Sequence, residues 1–182
     1  MVFEIIDKYY PEDNDLRRLL LKHSWQVAIK AVSVSKKHPE LGLNDELLFA
    51  GAMIHDIGVF LTDADGIFCK GKAPYLLHGI LGGDLLRKEG FPELARFCER
   101  HTGTGLSKEK VNGFCADYDK DLCVAEDCFP QTQEEIIVCY ADKFYSKSHP
   151  DIEKTPEQCV RSLLKFGEDT ANRFQRWHNK FK

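Results

Sequence analysis

The sequence has no run of about 18 apolar residues and no charged-then-apolar pattern near its first residues, so it shows neither a membrane-spanning helix nor a secretory signal. It also has no excess of basic residues: 25 Lys and Arg stand against 29 Asp and Glu, a net charge of −4. Such a chain has no general electrostatic attraction to nucleic acid or to anionic membranes. We therefore expect a cytoplasmic protein with neither a nucleic-acid nor a membrane partner.

The cysteines include no Cys-x-x-Cys pair, and their number, seven, is odd. This argues against a disulfide framework and against a typical zinc site. We interpret them as reduced, mostly buried residues: Cys69, Cys98, Cys115, Cys123, Cys128, Cys139 and Cys159. With 182 residues, of which 43% are hydrophobic, the chain can bury a hydrophobic core without disulfide bonds or a structural metal ion. We predict one domain over residues 1–182, as a monomer or a homodimer.

Apolar residues recur at three- and four-residue spacing along much of the chain, which is typical of amphipathic helices. Caps and prolines mark where these helices begin. The predicted helices cover 16–35 and 44–55 and begin near Pro74, Pro92, Thr132 and Thr155, the last of them running on to Phe181. Residues 59–73 show no period and are predicted to form a loop, and 104–131 a long irregular insertion. Every strong period is helical, so the sequence predicts an all-α bundle of about six or more helices.

Residues 50–58 read AGAMIHDIG, an apolar run that ends in His55, Asp56 and a glycine. Burying a carboxylate in apolar surroundings is costly unless the carboxylate is paired or bound to a metal. A His-Asp pair by itself is more often a hydrogen bond at a helix end or a solvated turn. The positions of other histidines and aspartates therefore decide its meaning.

Further residues of metal-binding type fall on the inward faces of other predicted helices. Each alone is more simply a core histidine or a capping or ion-paired aspartate. Together, without matched basic partners on the same faces, they indicate a metal site formed by His23, His55, Asp56, His78, His101 and Asp142. Imidazole and carboxylate ligands favour one or two divalent transition-metal ions, iron or manganese, with nickel, cobalt and magnesium as further candidates.

Two ions sharing Asp56 would lower the pKa of a bridging water, orient a phosphoryl oxygen and stabilise the charge of an in-line displacement. The reaction class that this pattern indicates is metal-assisted hydrolysis of a phosphate ester or anhydride. The expected substrate is a small, nucleotide-like phosphate compound.

The order of these residues resembles the H…HD…D signature of the HD-domain metal-dependent phosphohydrolase superfamily, and HDIG at 55–58 is similar to its HD-I-G variant. The segments PYLLHG (74–79), ERHTG (99–103) and YADK (140–143) resemble the added two-histidine elements and the closing element of dinuclear members. Bacterial hydrolases of symmetric diadenosine tetraphosphate have this layout and a bound iron pair. The resemblance covers residues 20–147 and implies an HD-type helical bundle.

By this resemblance one ion would be held by His23, His55, Asp56 and Asp142, and a second by Asp56, His78 and His101. The same resemblance implies catalytic roles for Asp56, His78 and His101. The sequence departs from the tetraphosphate hydrolases at Ile57 and Gly58, in the longer loop 59–73, in the insertion 104–131, and at Lys147, where an Arg is expected. The resemblance to the tetraphosphate hydrolases therefore supports the metal-binding residues more strongly than it supports the same substrate.

Basic residues near these motifs are candidate contacts for a substrate phosphate: Lys70, Lys72, Arg100, Lys143 and Lys147. Each is by default a solvated side chain, and Lys143 ranks first because it adjoins Asp142. Three alternatives to a dinuclear phosphohydrolase stay open. They are a mononuclear HD nucleotide monophosphatase, a diiron oxygenase on the same scaffold, and a regulatory HD module without catalytic activity.

Overall fold

The computed structural model describes residues 1–116, 118–119, 122 and 124–182. Within them the chain forms a bundle of packed α-helices, which confirms the predicted all-α class. The helices are α1 (Val2–Tyr9), α2 (Asp15–Lys37), α3 (Asp45–Ile54), α4 (His78–Lys88), α5 (Pro92–Glu99), α6 (Lys108–Ala116), α7 (Gln133–Asp142), α8 (Pro156–Leu163) and α9 (Glu168–Phe181). In this described part, we find no helix whose length and apolar character would let it cross a bilayer.

Helix α3 lies at the centre of the bundle and contacts α1, α2, α5 and α7. Its side chains are apolar on most sides, and Leu48, Met53 and Ile54 are fully buried. A helix that is apolar all round is stable only when neighbours surround it. The sequence of α3 therefore places its C-terminal end, with His55 and Asp56, in the middle of the molecule.

The predicted caps fix where the central helices begin. The side-chain oxygen of Asn44 accepts a hydrogen bond from the Leu47 N–H at 3.1 Å, and Thr132 does the same for Glu135. Such caps contribute about 1 kcal/mol each. The Thr132 cap is not a reciprocal capping box, because the Glu135 carboxylate accepts from the Gln131 N–H instead.

The predicted last helix is wrong in extent. Thr155 and Gln158 form the expected capping box at the start of α8, but that helix ends at Leu163 and α9 begins only at Glu168. Gly167 lies between them with φ +109°, a conformation that residues with a Cβ rarely adopt. The apolar stripe continues across this break, because Phe174 and Phe181 of α9 are buried in the same core as Leu163.

The two predicted loops contain more regular structure than their sequences suggest. Residues 59–73 hold strands β1 (Thr62–Ala64), β2 (Cys69–Lys70) and part of β3 (Ala73–Pro74), with β1 antiparallel to β2 and parallel to β3. The segment 104–131 contains α6, so it is not irregular throughout. Strands of two or three residues are too short to show an alternation. The described cysteines are buried, as predicted, while Cys123 lies outside the described residues.

Candidate metal centre

Six buried side chains from the ends and middle of five helices converge inside the bundle. One comes from the inner face of α2, two follow the last turn of α3, one opens α4, one follows α5, and one is the last residue of α7. In that order they are His23, His55 and Asp56, His78, His101, and Asp142. Their exposed fractions lie between 0% for His55 and Asp56 and 9% for Asp142. The structure thus brings together all the residues for which the sequence predicts metal binding.

The cluster consists of two groups that share Asp56. His23, His55, Asp56 and Asp142 form one group, and Asp56, His78 and His101 the other; within each group the candidate ligand atoms lie within 4.8 Å of one another. Asp56 Oδ2 lies 3.1 Å from both His23 Nε2 and His55 Nε2. Asp56 Oδ1 lies 3.3 Å from His78 Nε2 and 3.4 Å from His101 Nε2. Each oxygen of one carboxylate therefore faces a different group.

Three of the histidines are oriented by their own backbone. The Nδ1–H groups of His55, His78 and His101 donate to the carbonyl oxygens of residues 52, 75 and 98, at 2.6, 2.6 and 2.7 Å. A carbonyl only accepts, so Nδ1 carries a proton in each of these rings, and Nε2, which faces the cluster, is the nitrogen that can bind a metal when the ring is neutral. This arrangement is typical of histidines that bind metals.

Several atoms at the centre of the cluster have no hydrogen-bond partner among the described residues. They are His23 Nε2, His55 Nε2 and Asp56 Oδ1, all fully buried, whereas Asp56 Oδ2 contacts Lys147 Nζ. A buried polar atom left without a partner costs about 1–3 kcal/mol, so several such atoms close together are unfavourable. A divalent cation would satisfy all of them. The cluster is therefore able to bind a metal ion.

Two lysines form ion pairs with the carboxylates of the cluster. Lys147 Nζ contacts Asp56 Oδ2, and Lys143 Nζ donates to Asp142 Oδ2 at 2.6 Å. Burial alone would raise the pKa of Asp56, but His55 and Lys147 outweigh it and hold the pKa well below its usual range. Likewise, burial of Asp142 is outweighed by Lys143 and by His23, so its pKa is also lowered. Both carboxylates are ionised and ready to bind a cation.

Two histidines of the cluster differ in charge. Burial would lower the pKa of His55, but the carboxylates of Asp56 and Asp142 outweigh it and raise the pKa to about 9. For His101, burial prevails over the Asp56 carboxylate, and its pKa falls to about 4. His101 is therefore neutral at pH 7, as a ligand must be, whereas His55 must lose a proton when a metal binds.

Two buried cysteines lie beside the cluster without joining it. The Cys98 thiol donates to the Ile54 carbonyl at 3.3 Å, and the Cys139 thiol to the His101 carbonyl at 3.4 Å. Burial raises the pKa of Cys98 well above its ordinary value and that of Cys139 to about 12. Both thiols therefore stay protonated and support the backbone next to the ligands.

A cavity of about 200 Å³ opens beside the cluster. His78, His101 and Asp142 form part of its wall. Lysines line another part: Lys143, Lys147, Lys154 and Lys165. Tyr75, whose ring stacks on that of His78 at 4.6 Å, also faces this space. The cavity can accept an anionic group in direct reach of the candidate ligands.

Three predicted phosphate contacts do not line this cavity. Lys70 pairs with Asp65 on the surface, Lys72 is exposed, and Arg100 Nη1 lies 2.9 Å from Glu135 Oε2. Sequence reasoning missed Lys154 and Lys165, which lie beyond every recognised motif. A single lysine has no periodic signature, so only the fold reveals their place.

The contact of Arg100 with Glu135 predicts an effect on stability. Their side chains are 12% and 3% exposed. Arg100→Gln should lower the free energy of unfolding by about 2 kcal/mol, because it leaves a buried carboxylate without its charged donor. Urea denaturation measures this change, with Arg96→Gln, an exposed arginine of α5, as the control. A raised KM and unchanged stability of the Arg100→Gln variant would instead indicate that Arg100 contacts the substrate.

Comparison with known proteins agrees with this geometry. The family model of the HD domain matches residues 20–146, which include all six clustered residues. The chain belongs to the HD domain family. Membership of this family, together with the His/Asp cluster, supports a metal-dependent phosphohydrolase in general. No solved structure matches this HD domain.

Curated relatives are longer than the HD domain described above. The chain is 30% identical to a tRNA (cytidine(56)-2'-O)-methyltransferase of Thermoplasma volcanium over 87% of its own length and 40% of that protein. It is 32% identical to an uncharacterized protein, MJ0778, of Methanocaldococcus jannaschii over 62% of its length and 55% of that protein. A tRNA (cytidine(56)-2'-O)-methyltransferase of Picrophilus torridus is 33% identical over 55% of the chain and 24% of that protein. The chain thus spans at most 55% of these relatives.

Proposed function

We propose that this HD domain hydrolyses a phosphate ester or anhydride bond of a small, nucleotide-like substrate, with an activated water as the nucleophile. One observation carries the proposal: a single buried carboxylate, Asp56, joins two groups of candidate ligands beside a cavity lined by lysines. Two-ion sites of this kind hold the attacking and leaving oxygens of a phosphoryl group. The lysines supply positive charge where such a group would lie.

Different residues of the chain have different roles in the proposed reaction. A bound divalent ion would supply hydroxide at neutral pH and stabilise the charge that develops on the phosphoryl oxygens. Asp56 would hold both sides of the centre together, while the backbone bonds of His55, His78 and His101 keep their Nε2 atoms in place. Lys143 donates to the His101 carbonyl at 2.7 Å, which fixes its ammonium at the cavity wall, where it can bind a phosphoryl oxygen. Leu163 and Phe166 give part of the cavity an apolar wall.

The chemistry of the ligands guides the choice of metal. The described cluster offers imidazole nitrogens and carboxylate oxygens, and the adjacent thiols are protonated. Iron or manganese suits such ligands better than calcium does. We propose that both groups are filled, as in the dinuclear tetraphosphate hydrolases that the sequence resembles. Two groups with one shared carboxylate support this layout.

Two observations favour a small substrate over tRNA for this chain. The relatives named as methyltransferases are proteins of which the chain spans 40% and 24%, so that activity is not carried over to this chain. The cavity beside the candidate ligands has a volume of about 200 Å³, and the net charge of −4 gives no general attraction to a polyanion. A phosphate group on a small molecule fits the volume of the cavity and the net charge of the chain.

The metal content of the purified protein tests the proposal. We expect about two transition-metal ions per wild-type chain and about one in the double variant His78→Ala with His101→Ala, because only the second group loses ligands. Inductively coupled plasma mass spectrometry measures the ions, and a panel of nucleotides and phosphate esters measures hydrolysis. His38→Ala with His149→Ala removes two histidines outside the cluster as a control.

Other outcomes distinguish the alternatives. One ion that the double variant retains would indicate a mononuclear monophosphatase, with His78 and His101 as core or substrate residues. Oxygen-dependent oxidation without hydrolysis would indicate the diiron oxygenase. Metal-loaded protein that hydrolyses none of the panel would contradict the proposed function and favour the regulatory module.

A further inference from the structure

Two of the four lysines in the cavity have no acidic partner in the described part of the chain. Lys143 and Lys147 are paired with Asp142 and Asp56, whereas Lys154 and Lys165 line the same cavity and form no salt bridge with a described residue. Lys154 is half-buried, just before the cap of α8, and burial lowers its pKa. Lys165 lies on the 3₁₀ turn Leu164–Phe166, with its Nζ 5.0 Å from the ring of Phe166. This part of the cavity lining thus carries positive charge that no described side chain neutralises.

An ammonium group partly removed from water is costly unless a negative charge accompanies it. At Lys143 and Lys147 the candidate metal ligands provide that charge. At the half-buried Lys154 nothing equivalent is present among the described residues, and the exposed Lys165 adds a second ammonium group to the same cavity, so an anion from outside the chain is the natural partner. Phosphate is the anion that the proposed function brings to this cavity.

The position of Lys154 also indicates where the rest of a substrate lies. A second cavity, of about 340 Å³, shares Ser146, Lys154 and Ser162 with the first one. Lys154 therefore stands at the junction, between the candidate metal ligands on one side and the second cavity on the other. Ile152 and Arg161 line that second cavity.

We propose that Lys154 and Lys165 form a second phosphate-binding subsite, so that the substrate carries two linked phosphoryl groups. One group lies at the metal centre, the other lies at these lysines, and the remainder of the molecule extends toward the second cavity. The preferred substrate class is then an organic diphosphate or polyphosphate rather than a monophosphate. This inference rests on the proposed function, which places the first phosphoryl group at the metal centre.

Binding of two probes that are not hydrolysed tests the subsite. Isothermal titration calorimetry compares methylenediphosphonate with methylphosphonate on manganese-loaded protein. We expect Lys154→Gln with Lys165→Gln to weaken the diphosphonate by about 10- to 100-fold, the range for loss of a charge-assisted hydrogen bond, and to change the monophosphonate less than about 2-fold. The double variant Lys36→Gln with Lys37→Gln, at the exposed end of α2, makes the same change in net charge away from the cavity and should leave both affinities unchanged.

Equal losses for both probes, or no loss for the diphosphonate, would overturn the subsite. Lys165→Gln alone provides the same test if the double variant does not fold, because Lys165 is exposed; we expect it to weaken only the diphosphonate. The probes need no hydrolysis, so a selective loss would be seen even in a protein that hydrolyses no substrate. Conversely, hydrolysis of monophosphates without such a selective loss would support the proposed function and refute the subsite.

Discussion

Asp56→Asn should abolish metal binding and hydrolysis together. Both oxygens of this carboxylate face candidate ligands, one in each group. An amide lacks the negative charge and the second acceptor oxygen that a shared ligand needs. We expect close to no bound metal and a fall in kcat/KM of at least ~10³-fold, equivalent to ~4 kcal/mol of transition-state stabilisation. Metal analysis and steady-state kinetics with a substrate of the wild-type protein measure the two effects.

A control must separate this effect from unfolding. Removing the Asp56 charge leaves Lys147, whose side chain is 10% exposed, without its carboxylate, and breaking a buried ion pair costs about 3–5 kcal/mol. Adding Lys147→Met to Asp56→Asn should restore much of the stability but not the metal. Asp63→Asn, at an exposed position of β1, should retain both metal and activity. An Asp56→Asn variant with wild-type metal content would contradict the shared-ligand role.

Gly58→Ala should destabilise the fold and disturb the second ligand group. A Cβ at this position would lie 2.3 Å from the carbonyl oxygen of His78 and 2.5 Å from the backbone nitrogen of Gly82. Both are backbone atoms of α4, so no side-chain rotation relieves the clash, and α4 must move away with His78. We expect the free energy of unfolding to fall by about 3 kcal/mol or more. Urea denaturation and metal analysis together measure the result.

The effect of Gly58→Ala comes from contact and not from backbone conformation. Gly58 has φ −84° and ψ −1°, which other residues adopt easily. Gly66→Ala and Gly113→Ala are matched controls because a Cβ there would meet no atom within 4 Å, and their effects should stay within about 0.5 kcal/mol. A stable Gly58→Ala protein that binds as much metal as the wild type would refute the close packing of α4 against the end of α3.

The sequence predicts those parts of the fold whose signals are local. Asn44 and the apolar run that follows it define α3 almost to the residue, since a cap and a period act within one helix. Helical periodicity does not predict the break at Gly167, because apolar residues keep their spacing on both sides of it. β2 has two residues and forms only because β1 lies beside it. Such elements depend on partners that a linear pattern does not contain.

In the candidate site, too, some residues are predictable from the sequence and others depend on distant parts of the chain. His23, His78 and Asp142 are predictable because each lies on the apolar face of a helix, where a polar residue needs an explanation; their metal-binding roles stay predictions. Arg100 is assigned to substrate from its position beside His101, yet its partner Glu135 lies 35 residues away. Lys154 reaches the cavity from a turn before α8 that no motif marks. Side chains that meet only through the tertiary fold therefore need the structure.

The protonated thiols beside the cluster have a consequence for metal selectivity in the cell. Soft ions such as Cu(I) are captured mainly by thiolate sulfur, and a thiol becomes a ligand only after it loses its proton. Cys98 and Cys139 hold their protons at neutral pH and direct them to backbone carbonyls. Neither group of candidate ligands contains a cysteine sulfur, so an arriving ion meets imidazole nitrogens and carboxylate oxygens, which suit a soft ion such as Cu(I) less well than thiolate does.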